Sequence, residues 1–483
     1  MRYNMARKQS QGNTGKRRSF LNRSFLNRYI GDRAFYQSVM AVALPIMVQN
    51  AITNFVSLLD NIMVGRVGTE QMSGVAIVNQ LLFVYYLCIF GGLAGAGIFT
   101  AQYYGTKDLT GIRHTFQYKV MLGALVSGLA VSLLVWKGDG LIRLYLNPSE
   151  SGGNLEETFR WGMEYLRVML FGLPAFMITQ VYSSTLRECS ETRLPMVASI
   201  TAVLVNLVFN WLLIFGHLGF PELGVVGAGA ATVISRYVEL AIVVIWTHTH
   251  PEKVPYMVGL YRKWGIPMTL GRTITVKGLP LLVNEALWSS SQAILVQCYA
   301  YRGLTVVAAL NISSTITNLF NGVFLAMGSV VAILVGQLLG AEKMEEAKDT
   351  DRKLIVFSMG IAAVVAVAVL LTAPLFPRIY NTDAEVRALA TSLMMITAIF
   401  MPQNAFMNAT YFTLRSGGKT VITFLFDSVN AWLISIPIAF LLSRYTELHV
   451  TVIMTLVMMG DWIKCVLGYV LVRKGVWLQN IVR

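Results

Sequence analysis

Charge is what this sequence has least of. Only 13% of its 483 residues are Asp, Glu, Lys or Arg, about half the fraction of an ordinary soluble domain, while 55% are hydrophobic. That excludes a water-facing surface for a chain of this length. The four cysteines, Cys88, Cys189, Cys298 and Cys465, are far apart, which argues against a disulfide framework or a thiolate metal site. The five histidines are equally scattered, and His248 and His250 have no partner nearby in the sequence. No polar stretch between apolar ones exceeds about 30 residues, which leaves no room for an ATP-hydrolysing or catalytic domain. The first 33 residues carry nine Lys or Arg and lack the apolar core of a cleaved signal peptide, so the first apolar stretch is expected to be retained.

Apolar residues, by contrast, come in twelve stretches long enough to cross a hydrocarbon layer about 30 Å thick at 1.5 Å per residue. They run roughly over 36–64, 72–100, 114–136, 161–185, 194–216, 224–247, 274–300, 305–338, 354–375, 388–413, 420–443 and 448–472. The expected fold is an all-α integral membrane protein of twelve transmembrane helices. The net charge of +14 follows the topology rather than a nucleic-acid partner. With the N-terminus in the cytoplasm, 26 Lys and Arg fall on the cytoplasmic side, 8 on the outer side and 5 inside spans. Five segments follow: a basic cytoplasmic tail 1–33, an N-lobe 34–247, a cytoplasmic loop 248–273, a C-lobe 274–474 and a cytoplasmic end 475–483. The tail holds a tandem pentapeptide, Ser19–Arg23 and Ser24–Arg28, with some expected attraction to anionic lipid.

The two lobes repeat one another. A shift of 235 residues sets Pro45 on Pro280, Gly68 on Gly303, Gln102 on Gln337 and Gly105 on Gly340. A shift of 228 sets Pro174 on Pro402, Thr185-Leu186-Arg187 on Thr413-Leu414-Arg415, and Thr192 on Thr420. Each half has an even number of spans, so the halves share an orientation. The expected arrangement is two pseudo-twofold-related six-helix lobes about an axis along the membrane normal, with a cavity between them.

Polar groups inside the spans carry the functional signal, because hydrocarbon tolerates few of them. In span one Gln49, Thr53 and Asp60 lie within about 40° on a helical wheel, with Asn50 and Ser57 beside them. Span seven carries Glu285, Ser289 and Gln292 at i, i+4 and i+7. Span five has Asn206 and Asn210 at i, i+4, span six has Thr232, span eight runs Asn311, Ser314, Thr315, Asn318 and Asn321, and span ten offers Asn404, Asn408 and Tyr411. For the neutral residues the plain alternative is hydrogen bonding between helices. For Asp60 the polar face continues inward from it, which favours function over a place at the membrane surface. Two glycine-rich stretches are decoys. Gly417-Gly418-Lys419-Thr420 ends like a phosphate-binding loop, but its first glycine would fall on Thr413. Gly91 to Gly97 lies in an apolar span and reads as close helix packing.

Along nearly its whole length the chain resembles the multidrug and toxic compound extrusion (MATE) transporters. The carrying residues are Leu44-Pro45, Leu59-Asp60-Asn61-Ile62-Met63-Val64-Gly65-Arg66-Val67-Gly68, Gln102 to Asp108, Leu186-Arg187, Thr192 to Pro195, Asn206 to Gly216 and Gly224 to Ala230. The resemblance implies a secondary antiporter exporting small organic cations in exchange for Na⁺ or H⁺, with no other cofactor. It implies a cation site, or coupling Na⁺ site, at Asp60, Asn206, Asn210 and Thr232. The polar faces of the spans place Gln49, Thr53, Glu285, Ser289, Gln292, Asn318, Asn404 and Tyr411 around the expected substrate cavity, and Glu285 resembles the span-seven acid of NorM-like members. Three departures stand out: Asn210 stands where some members carry a second Asp, no carboxylate lies inside span ten, and Glu188 replaces the usual glycine after Leu-Arg. The expected setting is a monomer in the lipid of a bacterial inner membrane. The alternative of a lipid-linked saccharide flippase would want several cations in its cavity, and only Lys119, Arg167, Arg236 and Lys464, with Lys277 near the start of its stretch, lie in spans. A membrane-embedded enzyme would need a clustered acid or histidine constellation that is not evident.

Overall fold

The computed structural model describes residues 28–146, 154–262, 264–380 and 382–483, so most of the basic tail, including the first pentapeptide, lies outside the described residues. Among those described there is no strand. Twelve helical elements follow one another: α1 Arg33–Gly65, α2 Thr69–Thr106, α3 Leu109–Tyr145, α4 in two pieces Leu155–Leu170 and Gly172–Glu188, α5 Arg193–Phe215 and α6 Gly224–Thr249. Then come α7 Met268–Ala300, α8 Leu304–Gly340, α9 Met344–Thr372, α10 Ala384–Ser416, α11 Thr420–Tyr445 and α12 Val450–Lys474. Among the described residues ten are long and apolar enough to cross a membrane alone, and the bent α4 makes an eleventh. The remaining one, α7, is 33 residues long but interrupted by Asn284, Glu285, Ser289, Ser290, Ser291 and Gln292.

Local chemistry sets the boundaries. Asp32, Asp108 and Asn154 cap α1, α3 and α4 by accepting from backbone N–H groups one turn on. The two pieces of α4 meet at 45° beside Phe171. Pro174 explains the break, since it has no N–H to give the carbonyl of Leu170. In α11 the middle turns, Leu425–Val429 and Ala431–Ser435, widen to π-helix just before Pro437, which likewise leaves the Leu433 carbonyl without its donor. His248 and His250, partnerless in the sequence, are both engaged: Tyr182 Oη lies 3.0 Å from His248 Nε2, and the His250 ring stacks on Trp246.

The first halves of α1 and α7 are exchanged between lobes. Val39, Val42, Ala43 and Ile46 of α1 share a core with Ala326, Val330 and Leu354 of α8 and α9. Ile274 and Leu281 of α7 pack instead with Ala94, Ala96, Ile98 and Phe99 of α2. Asp60 and Cys298, further along each helix, lie back in their own lobes.

On the side of the two chain ends, α2 and α8 press together. A Cβ on Gly105 would overlap the backbone of Gln337, and one on Gly340 would overlap that of Gln102. Gln102 Nε2 donates to Ser416 O at the end of α10 (3.0 Å), while Gln337 Nε2 donates to Glu188 O at the end of α4 (2.9 Å). The C-terminal segment lies across this junction. Ile481 N donates to Gln102 Oε1, and Asn480 Nδ2 donates to Gly340 O. The lobes are closed here.

Candidate functional site

Asp60 is carried by the second half of α1, where α5 and α6 pack beside it. The i, i+4 spacing puts Asn206 and Asn210 on one face of α5, and that face meets the carboxylate. Asn210 Nδ2 donates to Asp60 Oδ1 at 2.7 Å. With the Asn206 nitrogen toward α1, it donates to both Asp60 oxygens at 3.0 Å, and its own oxygen accepts from Thr232 Oγ1 at 3.3 Å. Turned over, the same amide donates to Thr232 Oγ1 and places Oδ1 against the carboxylate. Two facing oxygens repel unless a proton or a cation sits between them, so the amide can follow the charge state of Asp60. The buried Oδ1 of Asn210 has no partner. A carboxylate with three neutral oxygens, one of them unpartnered, is a donor set that suits a hard monovalent cation.

A layer of aromatic and basic groups lies next to this site. Arg236 of α6 donates to Tyr86 Oη at 3.0 Å and covers the Tyr86 and Phe176 rings. Residue Glu239, one turn on, lies within the electrostatic reach of Arg236 and of Arg187. Glu188, the departure from the usual glycine, is answered within the chain: Lys119 Nζ pairs with it at 2.6 Å and also donates to Ser184 and Thr185.

The expected cavity residues are more dispersed. Gln49 Oε1 accepts from Arg187 Nη2 at 2.9 Å, and Tyr411 accepts from Asn284 at 3.4 Å. Glu285 is half-buried, its stem against Gly91 of α2. Ser289 and Asn404 are half-buried, while Thr53, Gln292 and Asn318 are exposed. Among the described residues no side-chain hydrogen bond joins any of these five to another. Of the residues beside Asp60, Asn50 donates to Gly322 O, and the Ser57 side chain lies outside the description.

Asp427, Asp461 and Asn284, which the sequence analysis left unmarked, form with Lys464 a second, partly buried polar group in the last six helices. Lys464 Nζ of α12 pairs with Asp427 Oδ1 at 2.9 Å, and Asn284 of α7 donates to Asp427 Oδ2 at 3.3 Å. Asp461, one turn before Lys464, accepts from Asn430 and Ser435. Asp427, Asn430 and Ser435 lie on or between the π-helical turns of α11, whose extra residue per turn re-aims side chains. Two signals were available: Asp427, Asp461 and Lys464 are charges inside apolar spans, and Lys464 stands 228 residues after Arg236, the same shift that relates α4 to α10. Between the lobes a cavity of about 120 Å³ is lined by Phe90, Ala94, Gln180, Arg187, Glu188 and Arg415 among others. Arg187 and Arg415 end α4 and α10 in register with the repeat, and the buried Nε of each has no partner.

The sequence pattern of the MatE family matches twice, over residues 45–212 and 280–441, one copy in each half. The chain belongs to the MatE family. Its curated MatE-type relatives include a probable multidrug resistance protein NorM of Thermotoga maritima, 25% identical over 88% of this chain and 88% of that protein. The multidrug resistance protein PmpM of Pseudomonas aeruginosa is 26% identical over 86% of this chain and 85% of its own length. A solved multidrug resistance MATE family transporter of the MOP superfamily, in its outward-facing conformation, superposes with a TM-score of 0.81. It is 19% identical and the match covers 93% of this chain and 97% of that one, which gives the MatE-family fold for these twelve helices.

Proposed function

We propose that this chain is a secondary multidrug efflux antiporter, exporting small organic cations in exchange for Na⁺ or H⁺, with Asp60, Asn206, Asn210 and Thr232 as the coupling site. The relatives' designations as multidrug resistance proteins support the transport class. The observation that carries the coupling role is Asp60 held by two amides beside the unpartnered Asn210 oxygen. A proton or Na⁺ on Asp60 and a cationic substrate elsewhere in the same lobe disfavour each other through charge, as exchange requires. A one-for-one exchange of monovalent cations moves no net charge and is driven by the ion's concentration gradient, whereas each additional ion moving inward across 100 mV supplies about 2.3 kcal/mol, roughly a 50-fold substrate gradient. The proposed setting is a monomer in a bacterial inner membrane, both termini cytoplasmic. The lobes, closed on the termini side, then leave the carrier outward-facing.

The test is transport in proteoliposomes with Na⁺ and pH gradients imposed separately. Wild type accumulates a fluorescent organic cation under one gradient, and Asp60→Asn, inserted at equal levels, does not. Full gradient-driven transport by Asp60→Asn, together with its loss in Glu285→Gln, overturns the assignment. A second reading, export of a lipid-linked saccharide, is favoured by one observation, the two guanidinium groups of Arg187 and Arg415 in the lobe-interface cavity. In vesicles that reading predicts phosphate-bearing lipid translocation that is lost in Arg187→Gln/Arg415→Gln.

A further inference from the structure

A groove of about 790 Å³ opens between the first turns of α7 and the start of α11, on the side of the chain ends. Its wall carries Arg272 and Lys277 from α7 and Lys419 from the turn into α11, with the hydroxyls of Thr269, Thr273 and Thr420 between them. No acid lines it. Arg272 is exposed, and Lys277 and Lys419 are half-buried, close enough for Lys419 to add like charge at Lys277. Lys277 Nζ donates to Gly418 O at 3.2 Å, which satisfies one of its three protons and none of its charge. Four other basic groups on this side of the protein are answered by acids: Lys343 by Glu346, Lys348 by Glu345, Lys353 by Asp349 and Arg483 by Glu342. Three converging cations without a counter-ion repel one another, and an anion entering the groove relieves that repulsion.

What lies beyond the groove selects the kind of anion. Just inward of it the two helices present exposed apolar side chains, Val276 and Leu279 on α7 and Val421 and Leu425 on α11, each more than half exposed. In a membrane chain such a surface faces acyl chains. Basic side chains at one level with an apolar channel directly beneath match an anionic phospholipid, phosphate at the rim and tails below. The Gly417-Gly418-Lys419-Thr420 stretch thereby finds a use that the phosphate-loop reading could not supply. Gly418 takes a left-handed turn (φ +70°), which sets Lys419 beside Lys277 as α11 begins.

We propose that the α7–α11 groove is a binding site for one anionic phospholipid, its headgroup phosphate held by Arg272, Lys277 and Lys419. The site touches α7 where that helix leaves the opposite lobe, at Gly278 against Gly95, so an occupied groove stabilises the closed junction.

The experiment is native mass spectrometry of the purified full chain, titrated with phosphatidylglycerol or phosphatidylcholine. The comparison is with Arg272→Gln/Lys277→Gln/Lys419→Gln and with an equal-charge control, Lys253→Gln/Arg262→Gln/Lys343→Gln. Wild type and control are expected to retain one phosphatidylglycerol in preference to phosphatidylcholine. The groove variant is expected to lose that preference, with affinity falling on the order of a hundredfold for three basic groups. An equal loss in the control means that bulk attraction, not the groove, holds the lipid, and overturns the proposal. Competition by soluble glycerophosphate at concentrations equal to the lipid makes this a free-phosphate site and overturns the lipid assignment. Thermal stability of both variants in detergent shows whether either has simply lost its fold. A misfolded groove variant is replaced by Lys277→Glu, which must abolish the preference on its own.

Discussion

Gln102 and Gln337 hold the lobes together by one contact made twice in opposite directions. Gln102, near the end of α2, donates to the carbonyl that ends α10, and Gln337, near the end of α8, donates to the carbonyl that ends α4. The two glutamines stand 235 residues apart and their acceptors 228 apart, so the clasp is the internal repeat seen in space.

Breaking the clasp is expected to open the termini side. Gln102→Ala and Gln337→Ala each remove inter-lobe hydrogen bonds worth about 1 kcal/mol apiece, roughly a fivefold change in the closed-to-open ratio per bond. Spin labels at Leu109 and Lys343, in a cysteine-free chain, report this as a longer distance population, largest in the double variant. An unchanged distance distribution in the double variant shows that the clasp does not hold this state.

Ligand substitutions around Asp60 should grade by what they remove. Asn210→Ala deletes both the 2.7 Å donor and the unpartnered oxygen. It is expected to weaken ion affinity about tenfold and to retain some transport at high ion concentration. Thr232→Ala, which removes a single hydroxyl next to Asn206, should cost less. The half-saturating ion concentration for substrate exchange measures both, and a larger effect of Thr232→Ala contradicts the geometry.

Stability should depend on the Asp427–Lys464 pair in a characteristic order. Lys464→Met leaves the half-buried Asp427 without its cation, which should cost less than the ~3–5 kcal/mol of a fully buried pair. Asp427→Asn/Lys464→Met removes both charges and should recover most of that loss. The melting temperature in detergent reads the order directly, and a double variant no better than Lys464→Met denies the pairing.

Cys189 offers a probe of the gate. It follows α4 directly, is 5% exposed, and adjoins the residues that accept from Gln337. Burial pushes its thiol well above the ordinary cysteine range. Below that raised value the thiol stays protonated, so at pH 8 maleimide labelling should be far slower than for an exposed cysteine. Opening of the termini side, in the Gln102→Ala/Gln337→Ala variant, is expected to speed it. Equal rates in both forms indicate that Cys189 is not screened by the clasp.

The fold was legible because hydrocarbon leaves few options: apolar length gave the spans, and repeated Pro45/Pro280 and Gly105/Gly340 gave the two halves. Asn206 and Asn210 were readable as a pair because i, i+4 is a short-range relation on one helix. The Asp427–Lys464 and Asp461–Asn430 contacts were not, since each joins two helices whose separation no spacing rule predicts. Proline was an ambiguous sign. Pro174 breaks α4, while Pro45, Pro280 and Pro402 sit in helices that continue through them. Arg187 and Arg415 were visible as repeat markers, but their place at the inter-lobe cavity depends on how the lobes meet.

The exchange of the first halves of α1 and α7 constrains how the chain is made. Ile46 finds its packing partners only once Val330 and Leu354 have been synthesised, about 300 residues later. At roughly 5–20 residues per second, α1 spends on the order of 15–60 s in the bilayer before its native neighbours exist. Its apolar surface must be satisfied by lipid throughout that interval, and the N-terminal six helices, released alone, would lack part of their own first helix's core. Splitting the gene between the repeats would therefore yield two fragments that assemble only when made together in one membrane.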